Sequence, residues 1–432
     1  MIVVSTPPNP SLRAPSRAFS MTGPDGQKLW PDGLSRSGLD PYYETAEKML
    51  KINRISVEDL PQSGIIFSKL MKNLGYTCDR APYAVVDCQG DGYCASGCVF
   101  GAKQTLHGNY LRQAGRAGLE VKTDCEALKI RALHGSSTEV APGTPLSGIP
   151  LRYEVTCRDL KTGRKTAIRT KLLILGGGTV GTARLLLNSR DGLHKLSRQT
   201  GKNVSTNGSV KTAGLIPDDF PDADMVRGRS HPGMISYQFL ESHGITVSSN
   251  KPLPLYVVAA ARLVAEGEKR KPDYWGEANL ELMRKYRRRM VAIYALGLTP
   301  PNAEIRLEAD GTVKPHLNLD DEVREYCRST RGLIDSIFAR NGGTVLQPSF
   351  VDRNGQPHGD LYLSTGHMVG SARMAASKKT GVANGRGEVF DYPGLVITDG
   401  AAIPTSLAVN TSLTILANAE RISDQLLKQY AT

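Results

Sequence analysis

A mixed α/β chain with two kinds of sheet is predicted by three stretches of the sequence. Leu395-Val396-Ile397-Thr398 is a short apolar run closed by Asp399-Gly400, as expected of a buried strand that ends at a turn. Lys171 to Leu175 is a second such run, followed by Gly176-Gly177-Gly178-Thr179-Val180-Gly181 and a helix through Leu187. Between these, residues 209–355 predict a different architecture. A basic helical stretch (Glu266 to Arg289) leads into alternating strands at Met290–Leu298 and Ala303–Leu307. Asp310-Gly311 then marks a hairpin turn and Asp320 to Arg340 a further helix, so this region reads as an antiparallel sheet with helices.

The C-terminal strand is the richest in chemistry. Ligands of open α/β sheets sit at the carboxyl ends of strands, which is where Asp399-Gly400 falls. Pro404 and Thr405 break the chain, and a helix is predicted from near Thr411. Ile415, Ala419, Ile422 and Leu426 recur at helical spacing along one face. Asn410 or Thr411 would cap that helix with a side-chain oxygen, and its positive N-terminus suits an anion.

His367 stands between Gly366 and Met368, ahead of the strand. An ordinary imidazole titrates near pH 6.5 and can take up and return a proton. Removing a hydride from an alcohol carbon needs such an acceptor for the hydroxyl proton. The Asn410 amide could hold the same oxygen. Taken singly, each has a plain structural reading, as a core imidazole and a helix cap; the case rests on their joint arrangement.

The glycine turn after Leu175 satisfies G-x-G-x-x-G between a strand and a helix, the dinucleotide fingerprint. The rest of that fingerprint fails. No second hydrophobic strand follows, and Lys202 to Gly208 holds no acid to bind a ribose. A nicotinamide enzyme is therefore a third reading behind a flavin enzyme and a non-catalytic remnant.

Upstream, Leu119-Glu120-Val121 and a strand near Ala127–Arg131 should pair with Tyr153–Cys157, with a loop from His134 to Pro150. An amphipathic helix is predicted from Gly101-Ala102-Lys103 through Tyr110-Leu111. Cys78, Cys88, Cys94 and Cys98 lack the tight C-x₂-C pairs of zinc or iron–sulfur sites, so no metal is predicted. Cys125, Cys157 and Cys327 read as isolated residues, and an odd total of 7 argues against an all-disulfide framework.

The 432 residues suffice for two or three domains. No run of eighteen apolar residues occurs, so no membrane span is expected, and without an apolar leader the default location is cytoplasmic. The net charge of +12 and the clusters Lys269-Arg270-Lys271 and Arg284 to Arg289 would suit an anionic partner or a solvated face. No nucleic-acid motif accompanies them, and nucleic-acid binding is not expected.

Taken in order, Gly366-His367 through Met374, Tyr392-Pro393-Gly394-Leu395, Asp399-Gly400 with Ile403-Pro404, Val409-Asn410 with Leu413-Thr414-Ile415, and Ala419-Glu420-Arg421 resemble a known signature. It is that of the glucose–methanol–choline (GMC) flavoprotein oxidoreductases, in the branch of the cholesterol oxidases. The resemblance implies an FAD-dependent oxidoreductase that oxidises a CH–OH group of a small-molecule alcohol, with oxygen or another acceptor taking the electrons. It implies that His367 and Asn410 are catalytic and face the flavin. Asp399, Gly400, Asn410, Thr411 and Ser412 would contact the cofactor. The Gly177-Gly178 turn, the Thr182-Ala183-Arg184 helix and Asn207-Gly208 also match the family, placing Gly177 and Gly178 along the FAD site.

Asn9 with Leu12-Arg13-Ala14-Pro15 resembles the tail of the loop that passes over the flavin ring, and Trp30-Pro31 with Leu39 to Tyr43 a family stretch that lies further inside. The implied division is 1–85 as cap and flavin loop, 86–208 as part of the FAD domain, 209–355 as substrate domain and 356–432 as the remaining, catalytic part of the FAD domain. Where sterol-isomerising members carry a glutamate, this chain has Arg287-Arg288-Arg289, which argues against steroid isomerisation. Nothing ahead of residue 9 matches the family's phosphate-binding βαβ unit, and roughly 100 residues of it are expected to be lacking. That expectation makes the fold incomplete at its N-terminus. It also leaves room for a second chain completing the FAD site, or for a non-catalytic paralogue with impaired FAD binding.

Overall fold

The computed structural model describes residues 11–90, 97–134, 139–224, 233–250, 263–265, 276–348 and 365–430. Helices α1 (Ser16–Phe19), α2 (Asp40–Met49) and α3 (Gln62–Asn73) come first, with the two-residue strands β1 (Asn53–Arg54), β2 (Asp79–Arg80) and β3 (Pro82–Tyr83). Pro41 falls in the first turn of α2, where its fixed φ favours the helix. Arg13 ties the preceding segment to that helix, bonding Asp40 at 2.8 Å and the two oxygens of Glu47 at 2.7 and 2.6 Å.

Short helix α4 (Arg112–Arg116) precedes an antiparallel meander of β4 (Cys125–Ala132), β5 (Tyr153–Asp159) and β6 (Lys165–Thr170). The predicted pairing of Ala127–Arg131 with Tyr153–Cys157 is present, with an irregularity between Ala127 and Lys129. Two expectations fail nearby. Gly101 to Leu106 is not helical, because Gly101 adopts φ +66° and the next residues pair in extended form with the Ala84–Val86 segment. Only His107–Leu111, a single wide turn, leads into α4. Leu119-Glu120-Val121 forms no strand; it follows Gly118 at φ +95° and leaves Leu119 and Val121 exposed.

β7 (Leu173–Leu175) and α5 (Gly178–Leu187) follow as predicted. β7 lies parallel to β16 (Leu395–Ile397), in the register Leu173↔Leu395. The last helix, α9 (Ser412–Gln429), packs on α2, where the Tyr43 hydroxyl meets that of Thr414 at 2.7 Å.

The antiparallel region is larger than predicted. It holds β8 (Val210–Leu215), β9 (Met234–Ser236), α6 (Leu240–His243), β10 (Ile245–Asn250), β11 (Leu263–Ala265), α7 (Gly276–Arg289), β12 (Met290–Gly297) and β15 (Thr344–Pro348). With β2 these strands make a seven-stranded sheet in the order β11-β15-β8-β12-β10-β9-β2. Residues 266–275 of the predicted basic helix lie outside the described residues. The predicted hairpin at Asp310-Gly311 joins β13 (Glu304–Leu307) to β14 (Val313–His316). Gly311 sits at φ +78°, and the Asp310 carboxylate accepts from the Thr312 amide at 2.9 Å. Helix α8 (Asp321–Ala339) is capped by Asp320, which accepts from the Val323 amide.

β12 is buried almost throughout its length. On one face of the large sheet Thr212 bonds Asp335 of α8, and Gly214 admits the Phe338 ring so closely that a Cβ would stand 2.5 Å from it. The other face carries Lys211, Ala213 and Leu215 beside Tyr294, Ala292 and Met290, with Tyr286 of α7 packed on the Met290 end. Arg287, Arg288 and Arg289 pair with Asp224, Asp222 and Asp218, so this basic run is matched by its own chain. Among the described residues no helix is long and apolar enough to cross a membrane.

Candidate active site

The site is assembled where three segments meet: 365–371, the turn before α9, and the start of β8. Thr365 and Val369 fix the first. The Thr365 hydroxyl donates to the Thr206 carbonyl at 2.8 Å and accepts from the His367 amide at 3.1 Å, while Val369 pairs with Ser205. Gly370, at φ +91°, bonds the Gly400 carbonyl, and a Cβ there would come within 2.1 Å of the Asn203 carbonyl oxygen. Only glycine fits that approach.

Asn207 holds the second segment, a role the sequence did not reveal. Fully buried and itself in the left-handed region, it accepts from the amides of Leu407 and Ala408 at 2.7 and 3.2 Å. Its own amide donates to the Val409 carbonyl at 2.8 Å. Three bonds from one side chain thus set the backbone immediately before Asn410. The Asn-Gly pair at 207–208 was the available signal, since both residues tolerate positive φ.

Asn410 and His367, 43 positions apart in sequence, come together. The Asn410 amide nitrogen lies 3.0 Å from His367 Nε2. An amide NH₂ can only donate, so Nε2 accepts and the ring is neutral with its proton on Nδ1. Burial, and then the positive charge of Lys211, push the His367 pKa down from 6.5 to about 4. In the unfolded chain the ring takes a proton near pH 6.5, in the folded one only near 4. Stability is therefore lost as pH falls through that window, by about 3 kcal/mol. Urea denaturation at pH 7 and pH 4 should show the native chain losing about 3 kcal/mol more than His367→Gln.

The predicted cap is not made. Thr411 occupies the N-cap position of α9 without a side-chain bond, and the Asn410 side chain is turned to His367 instead. Ser412, exposed, is the first helical residue. Among the described residues no side chain caps the amides at this helix end.

Gly177, Gly178, Asp399 and Gly400 form a second cluster. Asp399, buried, accepts from Gly178 N at 2.8 Å and Thr182 Oγ1 at 2.5 Å through one oxygen, and from Ala401 N at 2.8 Å through the other. Gly177 N donates to Thr182 Oγ1 at 3.1 Å. Burial raises the Asp399 pKa, and the three donors oppose that rise. The carboxylate locks the start of α5 to the end of β16, so the Gly177 and Gly178 amides are engaged within the fold. Gly400 is packed so closely that a Cβ would meet Thr179 Oγ1 at 3.1 Å and Ile415 Cδ1 at 3.2 Å.

Asn9 and Cys94 lie outside the described residues. Among the described residues no group of three or more His, Cys, Asp or Glu side chains could hold a metal ion. A separate cavity of about 710 Å³ is lined by Met21, Pro24, Leu298, Pro300 and Arg373, among others, and includes neither His367 nor Asn410.

Two models of one family match the chain, the N-terminal GMC oxidoreductase domain over residues 26–207 and the C-terminal one over 301–419, well over half of the sequence together. The chain belongs to the GMC oxidoreductase family. The match from residue 26 corrects one expectation: a lack of the family's N-terminal unit is not supported, because that unit's model aligns with the front half of this chain. This GMC chain is 26% identical to a cholesterol oxidase of Mycobacterium tuberculosis, over 77% of its own length and 58% of the relative's. It is 20% identical to a long-chain-alcohol oxidase of Arabidopsis thaliana, covering 85% and 50%. It covers 61% of the length of an uncharacterised GMC-type oxidoreductase of Mycobacterium tuberculosis, 58% of that cholesterol oxidase and 50% of that alcohol oxidase. In fold it is similar to an FAD-dependent oxidoreductase from Chaetomium thermophilum, with TM-score 0.57 and 15% identity over 93% of this chain and 81% of that one.

Proposed function

We propose that the chain is an FAD-dependent oxidoreductase that oxidises the CH–OH group of a small-molecule alcohol, passing the electrons to oxygen or another acceptor. The observation that carries this reading is the 3.0 Å pairing of His367 Nε2 with the Asn410 amide at the positive end of α9. The donor set fits a flavin. A neutral imidazole, an amide and uncapped helix amides face one place, and the helix end favours an electron-rich ring there. Asn410, Thr411, Ser412 and the backbone at Gly400 would hold the cofactor. Asn9 would add the flavin-loop contact that family resemblance assigns to it. The Asp399 lock with Gly177 and Gly178 would support that surface from behind.

FAD, when bound, supplies the hydride acceptor. The chain's own groups handle the substrate oxygen. A substrate hydroxyl that takes the place of the Asn410–His367 bond would donate to Nε2 and accept from the Asn410 amide. His367 then takes the hydroxyl proton as the carbon loses its hydride. Because its pKa is held low, the ring is in its acceptor form across neutral pH.

A visible spectrum of the purified chain after desalting tests cofactor binding. Flavin bands that persist, or that return on adding FAD, are expected; a colourless protein that takes up no FAD contradicts the proposal.

A further inference from the structure

The central strands of the large sheet bring a row of polar side chains to the His367–Asn410 pair. In register, Lys211 of β8 stands opposite Tyr294 of β12, and Tyr294 opposite Ser248 of β10. Residues directly opposed across strands share a face of the sheet. Tyr294 is buried, and Thr246, which shares the face of Ser248 on β10, donates to the Ala408 carbonyl at 2.5 Å, two residues ahead of Asn410. The charge of Lys211 in turn acts on His367. Lys211, Tyr294 and Ser248 therefore share the sheet face that meets the segment leading into Asn410.

Lys211 differs from the lysines that hold ion pairs at the surface. Lys129, Lys161, Lys378 and Lys428 each pair with a carboxylate. Lys211 is partly buried and, among the described residues, makes no hydrogen bond and no ion pair. Its neighbours Tyr294, Ser248, Asn410 and His367 are all neutral. A cation withdrawn from water without a counter-charge is costly, and such sites are completed by an anion. Farther along the same face the sheet turns apolar, through Ala213, Ala292, Met290 and Leu346.

We propose that Lys211 binds a carboxylate on the substrate, which makes the substrate class 2-hydroxy acids with an apolar side group; this rests on the alcohol-oxidising reading above. The hydroxyl lies against His367 and Asn410, the carboxylate against Lys211, and the apolar group along Ala213 and Ala292. In the reaction the carbinol C–H bond breaks with its electron pair, which passes as hydride to FAD. The hydroxyl proton goes to His367 Nε2, and the C–O bond becomes a carbonyl. The product is a 2-oxo acid, and the carboxylate keeps its charge throughout.

Benzoate and benzamide, alike in shape and inert to oxidation, isolate the charge. Calorimetric titration of the FAD-loaded chain should show benzoate binding about tenfold to a hundredfold more tightly than benzamide. Lys211→Met should bring that ratio close to one, and Lys211→Arg should keep most of it. No preference in the native chain, or a preference that survives Lys211→Met, overturns the proposal; the native comparison stands even if the methionine variant does not fold. Alcohol oxidation is read separately, by bleaching of the flavin. Bleaching by neutral alcohols without a benzoate preference removes the role of Lys211 alone. A benzoate preference without bleaching by any alcohol removes the oxidising reading, and the hydroxy-acid assignment with it.

Discussion

His367→Ala slows flavin reduction by alcohol by about 10²–10⁴-fold, the usual contribution of a positioned proton acceptor. The cofactor should stay bound, because the amides that begin α9 and the Asp399 lock do not depend on the imidazole. The variant removes the group that takes the hydroxyl proton but leaves the Asn410 amide to orient the oxygen. Stopped-flow absorbance of the flavin after anaerobic mixing gives the rate directly. A variant reduced as fast as the native chain refutes the assignment of His367.

Asp399→Ala should destabilise the fold by about 3 kcal/mol or more, without touching the proton acceptor. The carboxylate accepts three hydrogen bonds in a buried place, from Gly178 N, Thr182 Oγ1 and Ala401 N. Alanine leaves all three donors without an acceptor, and each buried donor so stranded costs about 1–3 kcal/mol. The relief of desolvating a carboxylate, visible in its raised pKa, offsets part of that total. Asp399→Asn, which keeps one acceptor oxygen, should lose less. Urea denaturation of both variants checks the order; a loss below about 1 kcal/mol for alanine would show that the lock is not needed.

Local periodicity made much of this fold legible. The apolar runs at 173–175 and 395–397 are strands, the 3.6-residue spacing after Thr411 is a helix, and Asp310-Gly311 is a hairpin turn. His367 and Asn410 were legible as a pair only because an ordered set of motifs linked them; 43 residues separate them in the chain. What escaped the sequence is what depends on distant partners. Gly101–Leu106 has helical spacing, yet the Ala84–Val86 segment claims its backbone groups. Asp399 reads as a ligand contact, and the bonds its carboxylate makes to Gly178, Thr182 and Ala401 had no local signal. The clamp at Asn207 and the position of Lys211 follow from pairings across the large sheet and its junction with the C-terminal segment. Locally the sequence offers only the Asn207-Gly208 pair, which signals positive φ and not the clamp or the place of Lys211.

The most direct measurement is anaerobic mixing of the FAD-loaded chain with primary and secondary alcohols, each with hydrogen or deuterium on the carbinol carbon. Hydride transfer assisted by His367 predicts that at least one alcohol bleaches the visible flavin absorbance and that deuterium slows the bleaching. A chain that holds FAD firmly and is bleached by none of them contradicts the account.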